Sequence, residues 1–117
     1  MYQLKLHKSM TVDRWQKHSF GHQILMIANE MNRAGHWIVK NGSVERTGCY
    51  ERAIELTALT IEVALQTPRR LRELCRFKEM LCRLYSLEQP SAIANSQLQE
   101  ALVMLSPESY EAVHPVK

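Results

Sequence analysis

A chain of 117 residues that is 45% hydrophobic, with four glycines and four prolines, has the length of one domain with a real core. Its composition is that of a globular protein, which excludes intrinsic disorder. The net charge of +3 is small, but its placement is uneven: Lys5, Lys8, Arg14 and Lys17 crowd the start, and Arg69, Arg70, Arg72, Arg76, Lys78 and Arg83 crowd one later segment. Glu88, Glu100, Glu108 and Glu111 mark the end.

Tyr2, Leu4 and Leu6 alternate with Gln3, Lys5 and His7, which predicts a short extended arm over residues 1–10. Ser9 or Thr11 caps a first helix over 11–40. Its apolar line is Phe20, Ile24, Ile27, Met31 and Ile38. Because Ile38 keeps the phase, the helix runs through Gly35 and stops near Asn41-Gly42. Ser43 caps a second helix to about residue 66, whose apolar residues cover most of the wheel and predict burial on more than one side. Thr67-Pro68 is a helix start of the cap-plus-proline kind, so the second and third helices meet at a very short turn as antiparallel neighbours. The third helix ends before Pro90, a fourth carries Ile93, Leu98, Ala101, Leu102 and Leu105, and Ser106-Pro107 restarts a last helical turn through about Val113. The fold class predicted is all-α: an antiparallel up-down-up-down four-helix bundle over 11–113, with the N-terminal arm before it and a tail over 114–117.

The third helix carries the main functional signal. At about 100° per residue, Arg69, Arg72, Arg76 and Arg83 fall within about 60° of one another. A single-sign stripe needs an acidic partner. Glu51, Glu55 and Glu62 on the neighbouring helix can supply one, and exposed pairs of that kind, worth about 0–1 kcal/mol each, imply nothing about function. The segment nevertheless has more positive charge than three glutamates balance. A bound polyanion accounts for the surplus, because arginine forks match phosphate geometry and released counterions supply affinity. Arg14 and Lys17 extend this candidate surface. Lys78 lies inside the apolar arc of the same helix, where it either snorkels or faces a wetter interface. That arc spans about 180°, more than one bundle seam uses, and predicts a homo-oligomer.

Other signals are weaker. His18, His22, Asn29, Arg33, His36 and Lys40 form a second polar stripe on the first helix, and His18 and His22 have the i, i+4 spacing of a metal pair. They lack an accompanying ExxH or HExxH, so the stripe reads as a solvated face or a surface for RNA or a partner. Cys49, Cys75 and Cys82 form no CxxC and sit among apolar residues, which predicts reduced core thiols of a cytosolic protein. There is no phosphate loop, GxSxG or GxGxxG. Trp15 and Trp37 read as ends of the core or as oligomer contacts. No metal, cofactor or catalytic residue is predicted. The chain shows neither an apolar run near the ~18 residues of a membrane span nor, in MYQLKLHK, the apolar stretch of a signal peptide.

The stretches Tyr50 to Leu65 (YERAIELTALTIEVAL) and Leu71 to Tyr85 (LRELCRFKEMLCRLY), about a third of the chain, resemble a family of small four-helix-bundle proteins. That family includes the proteins encoded in intervening sequences of bacterial 23S ribosomal RNA genes and the accessory variability proteins of diversity-generating retroelements. The resemblance implies a cytoplasmic bundle assembled as a ring-like pentamer, with basic surfaces for nucleic acid and, in retroelements, for a reverse transcriptase. Arg72, Arg76 and Arg83 match the family's basic positions. The N-terminal arm and the His/Asn-rich first helix depart from its pattern.

The functional expectation is a non-enzymatic, oligomeric protein that binds RNA or DNA through Arg69, Arg72, Arg76 and Arg83, joined by Arg14 and Lys17. The alternative is a scaffold whose charge stripes close its own assembly without nucleic acid.

Overall fold

The structure, a computed structural model, describes residues 11–115; the expected extended arm at Tyr2–Leu6 lies outside them. The described residues contain no strand and form six helices: α1 (Val12–Gln16), α2 (Phe20–Lys40), α3 (Ser43–Val63), α4 (Pro68–Ser86), α5 (Ala92–Val103) and α6 (Pro107–Val113). None is long and apolar enough to cross a membrane.

The expected first helix is two helices. Its break has a clear local cause. Ser19 turns extended and its hydroxyl accepts from the His22 N–H, so α2 starts there with its own cap. Gln23 closes the turn after α1: its amide donates to His18 O at 3.2 Å and, at 2.9 Å, to Trp15 O, which also accepts from the His18 N–H at 3.1 Å. The break lets Trp15 turn fully into the core, where its indole N–H donates to Thr60 Oγ1 at 2.9 Å.

The next boundary falls where the sequence predicts. Asn41 adopts the left-handed conformation, φ 58°, and the N–H groups of Asn41 and Gly42 return to Ile38 O and Trp37 O. Ser43 is not the cap expected, however; Gly42 occupies that position and α3 begins at Ser43 with no side-chain cap. Gly42 is needed for space, since a Cβ there would lie 2.5 Å from the Trp37 ring. Two helices of 21 residues, each about 31 Å long, cannot lie end to end in a body 41 Å in its longest extent. The chain therefore reverses at Asn41-Gly42. Thr67-Pro68 opens α4 and Ser106-Pro107 opens α6 at the predicted positions, with the proline in the first turn, although neither Thr67 nor Ser106 makes a side-chain cap bond. Ser91, with its hydroxyl accepting from the Ala94 N–H, opens α5.

α2 packs on α3 and α5, and α3 packs in addition on α1 and α4, which is the many-sided burial its sequence predicts. α6 lies on α2, where Ser19 Oγ donates to Glu108 Oε1 at 2.7 Å. The core is built from Trp15, Ile24, Ile27, Met31, Tyr50, Leu56, Leu59, Leu74, Phe77, Leu81 and Leu102. It also contains polar ties. Tyr50 donates its hydroxyl to Asn95 Oδ1 at 2.6 Å, and the Asn95 amide donates to Met31 O at 3.0 Å, joining α3, α5 and α2. Glu30, 5% exposed, accepts from Arg33 Nη1 at 3.0 Å and from Arg52 Nε at 2.8 Å. Among the described residues every buried side-chain N or O atom has a hydrogen-bond partner.

Burial shifts two acids in this core. Tyr50 is pushed up to about 12 by desolvation, which the positive charge of Arg46 only partly offsets. Burial likewise raises the Cys49 thiol against the lowering influence of Arg52, whose guanidinium donates to its sulfur. Arg52 itself is raised: burial works against its charge, but the hydrogen bond and charge of Glu30 outweigh it.

Candidate nucleic-acid interface and a second, apolar groove

The α4 arginines reach solvent because Leu74, Phe77, Leu81 and Leu84 take the helix's buried side against α3. Arg69, Arg72, Arg76 and Arg83 are all exposed. The ion pairs that α4 makes stay within the helix: Arg69 Nε to Glu73 at 3.4 Å and Arg83 Nη2 to Glu79 at 3.3 Å, both i, i+4 and both wet. Arg72 and Arg76 make no ion pair or side-chain hydrogen bond with the described residues. Glu51, one of the expected partners, instead accepts from the Tyr85 hydroxyl at 2.8 Å, a bond that raises the Tyr85 pKa. Glu55 is buried and Glu62 half-buried.

The segment of the expected Arg14 and Lys17 extension lies at one end of α3, where α1 packs. α1 is tied to Thr60 near the end of α3, and α4 starts one short turn later. A cavity of about 210 Å³ lies at this junction, lined by Gln16, His18 and Phe20 on one side and by Thr67 and Arg70 on the other. Arg14 on α1 and Lys17 just after it are both exposed, and neither lines this cavity. Arg83 is 14 residues beyond Arg69, about 21 Å along the helix, so the stripe has a cluster at the α1 end and an outlier at the other.

Arg70, absent from the expected stripe, proves to be the arginine in contact with this junction. It sits about 100° round the helix from Arg69, and its guanidinium lies over the Phe20 ring at 4.2 Å from the ring centre. The tandem Arg69-Arg70 immediately after a helix-starting proline was the one sequence signal for it.

The histidine stripe is not continuous, because His18 falls in the break between α1 and α2. His18 and His22 stack at 4.8 Å with an interplanar angle of 18°, and His18 also meets the edge of Trp15. Arg33 is held by Glu30, and His36 lies against the edge of Trp37. Among the described residues no group of three or more His, Cys, Asp or Glu side chains is arranged to hold a metal ion.

The cysteines depart from expectation. Cys49 is buried, but Cys75 is exposed and Cys82 half-buried. These two, with Lys78, line an open groove of about 1380 Å³ bounded by α4 and α5, with Ile61 of α3 at its base and Leu98 and Ala101 on the α5 wall. α4 and α5 barely touch, which is why the wide apolar arc of α4 stays only partly covered. Met80, Leu87 and Ile93, nearby on the same two helices and the link between them, are exposed.

Compared with known proteins, the chain matches no family model, no curated protein and no solved structure.

Proposed function

We propose that this protein is a non-enzymatic nucleic-acid-binding subunit, with Arg69, Arg72 and Arg76 as its phosphate-contacting face and Arg14 and Lys17 extending it. The observation that carries the reading is the state of Arg72 and Arg76, exposed and without an acidic partner on α3 or α4. Arg83, tied to Glu79 and remote from α1, is a peripheral contact.

The architecture behind this reading is an antiparallel four-helix bundle of α2 to α5, left open along the α4–α5 seam. The seam supports a second reading in the same molecule, self-assembly. A stripe of one sign repels a second copy of itself, whereas the groove offers apolar walls together with Lys78, Glu79 and Arg83, signs that a second copy complements. Assembly therefore uses the groove and leaves the arginines outward. The family resemblance adds a pentamer, a cytoplasmic setting and a reverse transcriptase as partner to this proposal.

The test is salt. Binding of a labelled RNA or DNA oligonucleotide, followed by anisotropy, falls steeply with salt, and R72Q/R76Q lowers the slope of log K against log[salt] by about 1.4–1.8 for two lost contacts. The same variant keeps its mass in light scattering, while Ala101→Arg in the groove lowers the mass. Absence of binding to either nucleic acid at low salt sinks the first reading and leaves the scaffold alternative. A monomeric wild type sinks the second.

A further inference from the structure

We infer that the cavity between the α1–α2 turn and the start of α4 takes one unpaired nucleobase, so that the arginine face binds single strands in preference to duplex. The inference rests on the nucleic-acid reading above and names its substrate class.

The cavity's size comes first. At about 210 Å³ it has the room of about seven waters, enough for one planar heterocycle and far too little for a duplex groove edge. Its polar groups come second. Gln23 is spent on Trp15 O and His18 O, and Thr60 on the Trp15 indole and Leu56 O. Gln16 and Thr67 keep side-chain donors and acceptors that no other described residue uses. An amide, a hydroxyl and the His18 ring are the groups that read a base edge.

Stacking is the third element. Arg70, with Phe20 beneath it at 4.2 Å, lines the cavity and presents a cation backed by an aromatic ring, a platform on which any base can lie. Position is the last. Arg69, Arg72 and Arg76 face outward from the same two turns of α4 that begin beside the cavity. A strand whose phosphates follow those arginines passes the cavity mouth and can turn one base inward. A duplex keeps its bases sealed in the stack, and extracting one costs a few kcal/mol.

The experiment uses the full chain and a 12-nucleotide RNA or DNA, free or annealed to its complement, with 2-aminopurine at successive positions. The expected result is a single-strand preference of about tenfold, a 2-aminopurine emission change on binding, and a loss of about tenfold in single-strand affinity for Arg70→Gln that spares duplex affinity. Gln16→Met, at an exposed site where folding is not in question, gives a smaller loss of the same selectivity. Equal affinity for strand and duplex overturns the inference. So does an Arg70→Gln loss that is the same for both forms, since Arg70 is then one more phosphate contact. Loss of all binding in the wild type is a different result, and it removes the nucleic-acid reading itself.

Discussion

Replacing Tyr50 by Phe removes one oxygen from the centre of the molecule and tests the polar tie that joins three helices. Tyr50 is 1% exposed and Asn95 2% exposed, and their 2.6 Å bond is the Tyr50 hydroxyl's contact with α5. Phenylalanine keeps the packing but leaves Asn95 Oδ1 buried without a donor. That costs about 1–3 kcal/mol, a fall in Tm on the order of 5–10 °C for a domain of this size. A second readout is alkaline pH. Tyr50 titrates at about 12 in the fold against 10.0 in the unfolded chain, so above pH 10 the unfolded state loses this proton first. A raised folded pKa gives a contribution that is whole below pH 10 and is lost as pH rises through 12, roughly 3 kcal/mol in all. Urea unfolding of wild type and Tyr50→Phe at pH 8, 10 and 11.5 separates the two effects. The variant is less stable at pH 8, and the gap narrows by pH 11.5. A cost at pH 8 below about 0.5 kcal/mol would refute the tie as an energetic element, and parallel pH curves would refute the burial-raised Tyr50 pKa.

Glu30→Ala deprives Arg52, whose side chain is 35% exposed, of its carboxylate and costs about 2 kcal/mol in urea unfolding. Arg33→Ala, at a side chain 57% exposed, costs less than about 1 kcal/mol, so the two variants order the pair. Gly21→Ala places a Cβ 2.5 Å from Glu108 Cβ and Oε1 and forces α6 off α2. Amide exchange then quickens over Glu108–Val113 while Ile24 and Ile27 stay protected; uniform quickening contradicts this local reading.

The punctuation of the fold was legible because it is chemical and local. Asn41-Gly42, Thr67-Pro68 and Ser106-Pro107 each change the backbone's options within two residues, and each marks a boundary of the structure. The break before Ser19 was missed although a signal existed. Trp15 lies about 140° from Phe20 on a continuous wheel, so an unbroken helix leaves a tryptophan off the apolar line; the break resets the phase and buries it. Asn95 and Glu30 gave no such signal, since nothing local tells a buried amide or carboxylate from a solvated one. Of the candidate interface, the arginine stripe was readable from periodicity, but its exposure was not, since Glu51, Glu55 and Glu62 stood as possible partners until the structure placed Glu55 inside and Glu51 on Tyr85. The cavity beside it was not, because Gln16, Thr67 and Arg70 come together only through the α1–α3 tie at Thr60.

The groove has the same origin. A wide apolar arc and Lys78 within it were visible in the sequence, but whether α5 would cover them depends on where α5 docks, and α5 docks on α2. The Asn95 bonds to Met31 and Tyr50 hold it there, on the far side of the groove from α4. The polar tie thus does more than stabilise the core: by fixing α5 to α2 and α3 it keeps the α4–α5 seam open. α4 is then left with two uncovered faces of opposite character. The arginine face carries surplus positive charge even after Glu73 and Glu79 pair with Arg69 and Arg83, whereas the groove is mostly apolar with Lys78, Glu79 and Arg83 among its lining residues, so Arg83 is where the two faces meet. Under the proposed function, α4 carries nucleic-acid binding and assembly on different faces, so a substitution at Arg72 and one at Ala101 act on different measurements.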